Sequence, residues 1–61
     1  MTVKEGIREA SRTKNATLAG RIADYLRFHK GLDYADQMDI VKGCGVSPQD
    51  WEELLYESER T

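Results

Sequence analysis

Apolar residues recur along this chain at the three- and four-residue spacings of helices, and no segment alternates with a period of two. The pattern predicts a first short helix over residues 2–12. Thr2 followed by Glu5 has the spacing of a capping box at its start, and the polar run over residues 12–17 marks the break after it. The apolar stripe of this helix consists of Val3, Ile7 and Ala10.

The longest periodic segment predicts a second helix over residues 17–30. Thr17 is placed to cap its start, and Gly31 lies where it should end. One face is apolar and is expected to lie in a core, while charged side chains occupy the rest of its surface. That face consists of Leu18, Ile22, Tyr25, Leu26 and His29, with Ala19 and Ala23 beside it.

Two further helices are predicted, one over about residues 34–44 and one that begins at Pro48 and frays near Glu57. Asp33 is a good cap for the first of them. Ser47 is the predicted cap of the second, with Pro48 at its first helical position. Together the segments predict an all-α protein, a small three- to four-helix bundle. The buried stripe expected of the last helix consists of Trp51, Leu54 and Leu55, and the apolar positions of the helix before it are Ala35, Met38, Ile40, Val41 and Cys44.

Residues 37–55 have the pattern of two helices that meet across a tight turn. Gly45 allows the backbone to reverse, Val46 fills the corner between the helices, and Ser47 caps the second helix. Apolar residues of both helices would face each other at the crossing. They are Ile40, Val41 and Cys44 on one side and Trp51, Leu54 and Leu55 on the other.

This stretch resembles the helix-turn-helix of small phage and bacterial repressors. Gln37 opens it, Gly45 follows eight residues later, and Val41 stands where the family favours Ala. The resemblance implies a DNA-binding transcriptional regulator that acts as a homodimer, with the second helix of the motif in the major groove. It divides the chain into a basic N-terminal arm or short helix over residues 1–16 and a helix-turn-helix domain over residues 17–61.

Charge is distributed unevenly and bears on that expectation. Residues 1–30 hold seven Lys or Arg against three Asp or Glu, whereas residues 31–61 hold two against eight. The helix that would enter the groove is acidic, and no Lys or Arg occurs between residues 43 and 59. Because phosphate neutralisation dominates DNA affinity, the basic half would have to supply the contacts. The candidate DNA-binding residues are Lys4, Arg8, Arg12, Lys14, Arg21 and Gln49.

The acidic helix supports an alternative hypothesis, a protein-interaction module. Here the last helix docks on a basic protein surface, as an inhibitor, an adaptor or a DNA mimic would. The DNA-binding hypothesis predicts that the chain binds a duplex with an affinity that depends on salt, whereas the alternative hypothesis predicts no DNA binding. The candidate partner-binding residues are Asp50, Glu52, Glu53, Tyr56 and Glu57.

The residues of chemical interest do not form a catalytic pattern. We find no phosphate-binding loop, metal-ligand cluster or nucleophile–base pair, so we expect no enzyme, no metal and no cofactor. His29 is interpreted as a helix-end residue and Cys44 as part of the core. No apolar run approaches the roughly 20 residues that span a bilayer, and no signal-peptide core is present. We therefore expect a cytoplasmic protein without a membrane partner.

Overall fold

The computed structural model describes residues 1–60, and this part of the chain contains four helices and no strand. The prediction of an all-α bundle is therefore confirmed. The helices are α1 (Val3–Thr13), α2 (Ala16–Phe28), α3 (Tyr34–Gly43) and α4 (Pro48–Arg60).

Helix α1 forms and docks because both of its ends are satisfied locally. The predicted capping box is present, since the Thr2 side chain accepts from the Glu5 backbone N–H and the Glu5 carboxylate accepts from the Thr2 N–H. The C-terminal end closes with the Asn15 N–H donating to the Ala10 carbonyl at 2.9 Å, with Lys14 in the left-handed region between them. The predicted stripe packs inward, and Ile7 and Ala10 are fully buried.

Helix α2 differs from its predicted form at the start. Its N-cap is Asn15 rather than Thr17, because the Asn15 side chain accepts from the Leu18 N–H at 3.1 Å. Asn is one of the strongest N-cap residues, and it lies directly after the turn that ends α1. The helix ends at Phe28 rather than at residue 30, and His29 is its C-cap, as expected of a helix-end residue.

The buried face of α2 is also rotated from the predicted one. It is centred on Ala19, Ile22 and Leu26, whereas Tyr25 and His29, which were predicted to face the core, are exposed. The reason is the close approach of α4. A Cβ atom added to Gly20 would lie 2.2 Å from the Ser58 Oγ atom. The face of α2 that carries Gly20 therefore packs closely against α4.

The turn between α3 and α4 is built as the sequence predicted. Asp33 caps α3 through the Asp36 N–H at 2.9 Å. Gly45 adopts a φ of +80°, which favours glycine, and the Val46 N–H then donates to the Val41 carbonyl at 3.2 Å. Val41 and Val46 are both buried in the core, so apolar packing stabilises the turn as well as the hydrogen bonds.

Helix α4 begins at Pro48, as predicted, but continues to Arg60 instead of fraying near residue 57. Its core residues are Trp51, which is fully buried, and Leu54. The core of the bundle draws on all four helices and on the turn after α3. It consists of Ile7, Ala10, Ala19, Ile22, Leu26, Met38, Val41, Cys44, Val46, Trp51 and Leu54.

One polar side chain is buried within this core. Gln37 accepts a hydrogen bond from the Trp51 indole N–H through its Oε1 atom at 3.0 Å. Trp has a single donor, and burying it unpaired is costly. The bond therefore satisfies the indole and ties α3 to α4.

We predict that the variant Gln37→Met, which keeps the side-chain length but removes the acceptor, lowers the free energy of unfolding by about 1–3 kcal/mol, the cost of an unsatisfied buried donor. Urea unfolding followed by circular dichroism measures the change. The matched control is Gln49→Met on the exposed face of α4, which is expected to stay within about 0.5 kcal/mol of wild type. Equal stability of the Gln37 variant and the wild type would show that the bond has no net effect.

Candidate binding surfaces

The exposed side of α4 is strongly acidic. Asp50 and Glu53 are three residues apart and Glu57 follows four residues later, so they line one edge of the helix. Glu52 lies on the adjoining edge. We call the surface formed by five exposed residues of α4 the acidic face: Asp50, Glu52, Glu53, Tyr56 and Glu57. All five partner-binding candidates thus lie exposed on one helix, opposite the buried Trp51 and Leu54.

A groove of about 720 Å³ runs beside the acidic face. Its other wall comes from the end of α1 and the start of α2, and the only cation that lines it within residues 1–60 is Lys14. Lys14 reaches this wall because it occupies the left-handed residue of the turn that ends α1. The structure therefore places Lys14 and Gln49, two DNA-binding candidates, on the same groove as Asp50 and Glu53.

The other basic candidates lie in different environments. The Arg8 Nε atom donates to the Cys44 carbonyl at 3.3 Å, so this side chain satisfies the C-terminal end of α3. Arg12 forms a bidentate pair with Glu9, one turn back on α1, and this carboxylate raises the pKa of Arg12. Lys4 is exposed on the first turn of α1, and Arg21 lines a separate cleft on α2.

The sequence did not lead us to predict that an aromatic residue, Phe28, is exposed beside this cleft on α2. Phe28 is 71% exposed and Tyr25 is 39% exposed. At 3.6 residues per turn Phe28 lies about half a turn from Ala19, so a core centred on Ala19 would have predicted its exposure. We call the exposed residues around it the basic–aromatic patch: Arg21, Tyr25, Arg27, Phe28, His29 and Lys30.

Tyr34, at the start of α3, joins that helix to the acidic face. Its hydroxyl donates to the Glu52 Oε1 atom at 2.5 Å. Desolvation and this bond to a carboxylate raise the pKa of Tyr34 to about 12. At the other end of the chain, hydrogen bonds from the Thr2 backbone and side chain lower the pKa of Glu5.

Within residues 1–60, no group of three or more His, Cys, Asp or Glu side chains could hold a metal ion. In the same part of the chain no helix has the length and apolar character needed to cross a membrane. Cys44 is a free thiol buried in the core, as its position in the sequence predicted. No family model, curated protein or solved structure matches this chain.

We predict that one of the three tyrosines ionises near pH 12 and that Glu52→Gln lowers that pKa in part, because the negative charge beside the hydroxyl is removed while the desolvation of the ring remains. A titration of tyrosinate absorbance measures the change. The pKa of Tyr34 is raised on folding, so its contribution to stability is complete below about pH 10 and is lost as the pH rises to about 12. Glu53→Gln, one residue away, should leave the titration unchanged. An unaltered titration in the Glu52 variant would contradict the assignment.

Proposed function

We propose that the chain is a protein-interaction module whose acidic face docks on a basic protein surface. The observation that carries this proposal is the group of four exposed carboxylates on the acidic face, next to Tyr56, which is 62% exposed. Among these carboxylates only Glu57 forms an ion pair within residues 1–60, with Arg60 at 3.8 Å. Negative charge that is not neutralised by neighbouring cations attracts a partner of opposite sign and accelerates association.

The rigid setting of α4 favours recognition by a fixed surface. Trp51 and Leu54 anchor the inner side of the helix in the core, so the outer side is held in one orientation. An aromatic ring surrounded by charged residues is typical of protein interfaces, where Tyr is enriched. A helix that carries regularly spaced carboxylates fits an inhibitor, an adaptor or a mimic of the DNA backbone.

The experiment compares capture of proteins from bacterial extract by immobilised full-length chain and by two double variants of equal charge change. Asp50→Lys with Glu53→Lys reverses part of the acidic face, and Asp36→Lys with Asp39→Lys changes two exposed carboxylates of α3. We expect a basic protein that wild type and the second variant retain, that salt elutes, and that the first variant retains at least about tenfold less. Equal retention by both variants, or none by wild type, would refute the proposal.

Duplex DNA binding is the second candidate function, and the placement of Lys14 on the groove beside Gln49 favours it. The resemblance of residues 37–55 to repressor motifs also supports it. In this arrangement Gln49 would contact a base edge, and Lys14 a phosphate. The carboxylates of Asp50 and Glu53 on the same groove oppose the approach of a polyanion, which is why we place it second.

DNA binding is tested by fluorescence anisotropy of a labelled mixed-sequence duplex at several salt concentrations. The hypothesis predicts affinity that falls steeply with salt, and a Lys14→Gln variant whose log–log salt slope is smaller by about 0.9. Lys42→Gln removes one exposed charge of α3 as the control and should bind like wild type. Arg8 is unsuitable for this comparison, because its loss also frees the Cys44 carbonyl. No binding at low salt would exclude this function.

We place the chain in the cytoplasm of a bacterium or of a phage-infected cell. The resemblance to phage and bacterial repressors supports this source, and a free, buried thiol at Cys44 fits a reducing compartment. If duplex DNA is the ligand, we propose a homodimer, because one module of this size holds few contacts to an operator.

A further inference from the structure

The basic–aromatic patch lies on the outer side of α2, away from the core. Phe28, the only phenylalanine of the chain, is 71% exposed there although the protein has a small core to fill. A large ring in water is an unusual use of an aromatic residue, and such rings are typical of binding surfaces.

The rings of the patch are stacked with one another and with cations of the same helix end. Tyr25 and His29 stack on each other with centroids 5.3 Å apart and an angle of 25° between their planes. The Arg27 guanidinium carbon lies 5.4 Å from the centroid of Phe28, and the Lys30 Nζ atom lies 5.9 Å from that of Tyr25. A cation therefore lies over the ring of Phe28 and another over the ring of Tyr25.

The cations of the patch are not neutralised within the protein. Arg21, Arg27 and Lys30 form no ion pair within residues 1–60, where the ion pairs are those of Arg12 and Arg60. One carboxylate, Asp24, lines the shallow cleft of about 230 Å³ that Arg21, Tyr25, Phe28 and His29 also line. Three cations against one carboxylate leave a local positive charge on a protein whose net charge is −2.

We propose that the basic–aromatic patch binds single-stranded nucleic acid, with a base stacked on Phe28 and phosphates held by Arg21, Arg27 and Lys30. An exposed ring together with cations that form no ion pair matches both parts of such a ligand, since every base has a flat face and every nucleotide has a phosphate. A duplex keeps its bases stacked inside, so it would leave the rings unused. An acidic protein surface would neutralise the cations but supplies no row of flat rings.

This site is independent of the proposed function, because it shares no residue with the acidic face. Arg21 is the residue that it shares with the candidate duplex-binding set. A chain that uses both surfaces would bring a basic protein and a single strand together on the two sides of one small bundle.

The test is fluorescence anisotropy of labelled oligo-dT and oligo-U, each about 16 nucleotides long, with the full chain at several salt concentrations. Comparison of the affinities for oligo-dT and oligo-U shows whether the natural ligand is DNA or RNA, and binding of either oligonucleotide supports the site. We expect a log–log salt slope of about −2, since each neutralised phosphate of a single strand contributes about 0.7. Arg21→Gln should reduce the magnitude of that slope by about 0.7.

The decisive variant is Phe28→Leu, which keeps an apolar side chain but removes the ring. Loss of one stacked base should lower affinity by roughly tenfold. Phe28 is exposed, so the fold should be unaffected, and circular dichroism checks this. Tyr56→Leu removes an exposed ring of the acidic face as the matched control and should bind like wild type.

Three results would overturn the proposal. They are no binding of either oligonucleotide at low salt, equal affinity of Phe28→Leu and wild type, and displacement of the single strand by an equal concentration of duplex. The variant with Asp50→Lys and Glu53→Lys separates the two proposals, because it should lose the basic protein partner and keep single-strand binding.

Discussion

The burial of Trp51 is the constraint on which the rest of this structure depends. A chain of about 60 residues buries only about 60% of the surface that it exposes when unfolded, and this indole is one of the few large side chains that it removes from water completely. The indole N–H must then be satisfied inside the core, and Gln37 satisfies it from α3. This single bond requires α3 and α4 to meet in one register. The turn at Gly45 and the hydrogen bond from the Val46 N–H to the Val41 carbonyl also hold the two helices in this arrangement.

Once Trp51 faces inward, the opposite side of α4 has to face outward. The helix is acidic on that side, so the orientation of one aromatic residue decides where the negative charge of the protein is displayed. Tyr34 reinforces the arrangement, because its hydroxyl binds Glu52 and so links the start of α3 to α4. Core packing and surface electrostatics are thus two consequences of the same helix rotation.

Helix α2 is set by a different demand, that of close packing. Gly20 lies against Ser58, and no side chain larger than hydrogen would fit between the two helices without a shift. The helix therefore turns its small residues toward α4 and its larger aromatic residues, Tyr25 and Phe28, toward water. The outcome is two exposed surfaces of opposite charge, on two helices that pack against each other. The basic residues of α1 contribute less to such surfaces, since Arg8 and Arg12 already have partners within the fold.

The sequence by itself determined the features that depend on neighbouring residues. The capping box at Thr2, the cap at Asp33, the turn at Gly45 and the start at Pro48 were all predictable, because capping and turn geometry require particular residue types at short spacing. The inward positions of Trp51 and Leu54 followed from helical periodicity for the same reason. The acidity of α4 was likewise readable from the chain.

Only the tertiary structure decided the features that depend on contacts between distant residues. The exposure of Tyr25 and Phe28 follows from the close crossing of α2 and α4. Apolar residues cover a wide part of the circumference of α2, so helical periodicity alone does not show which of them face the core. The assignment of Arg8 to the Cys44 carbonyl joins residues 36 positions apart, and the pairing of Gln37 with Trp51 depends on how two helices cross. Local rules specify where helices begin and end, whereas the rotation of each helix is settled by its neighbours, because packing acts through space rather than along the chain.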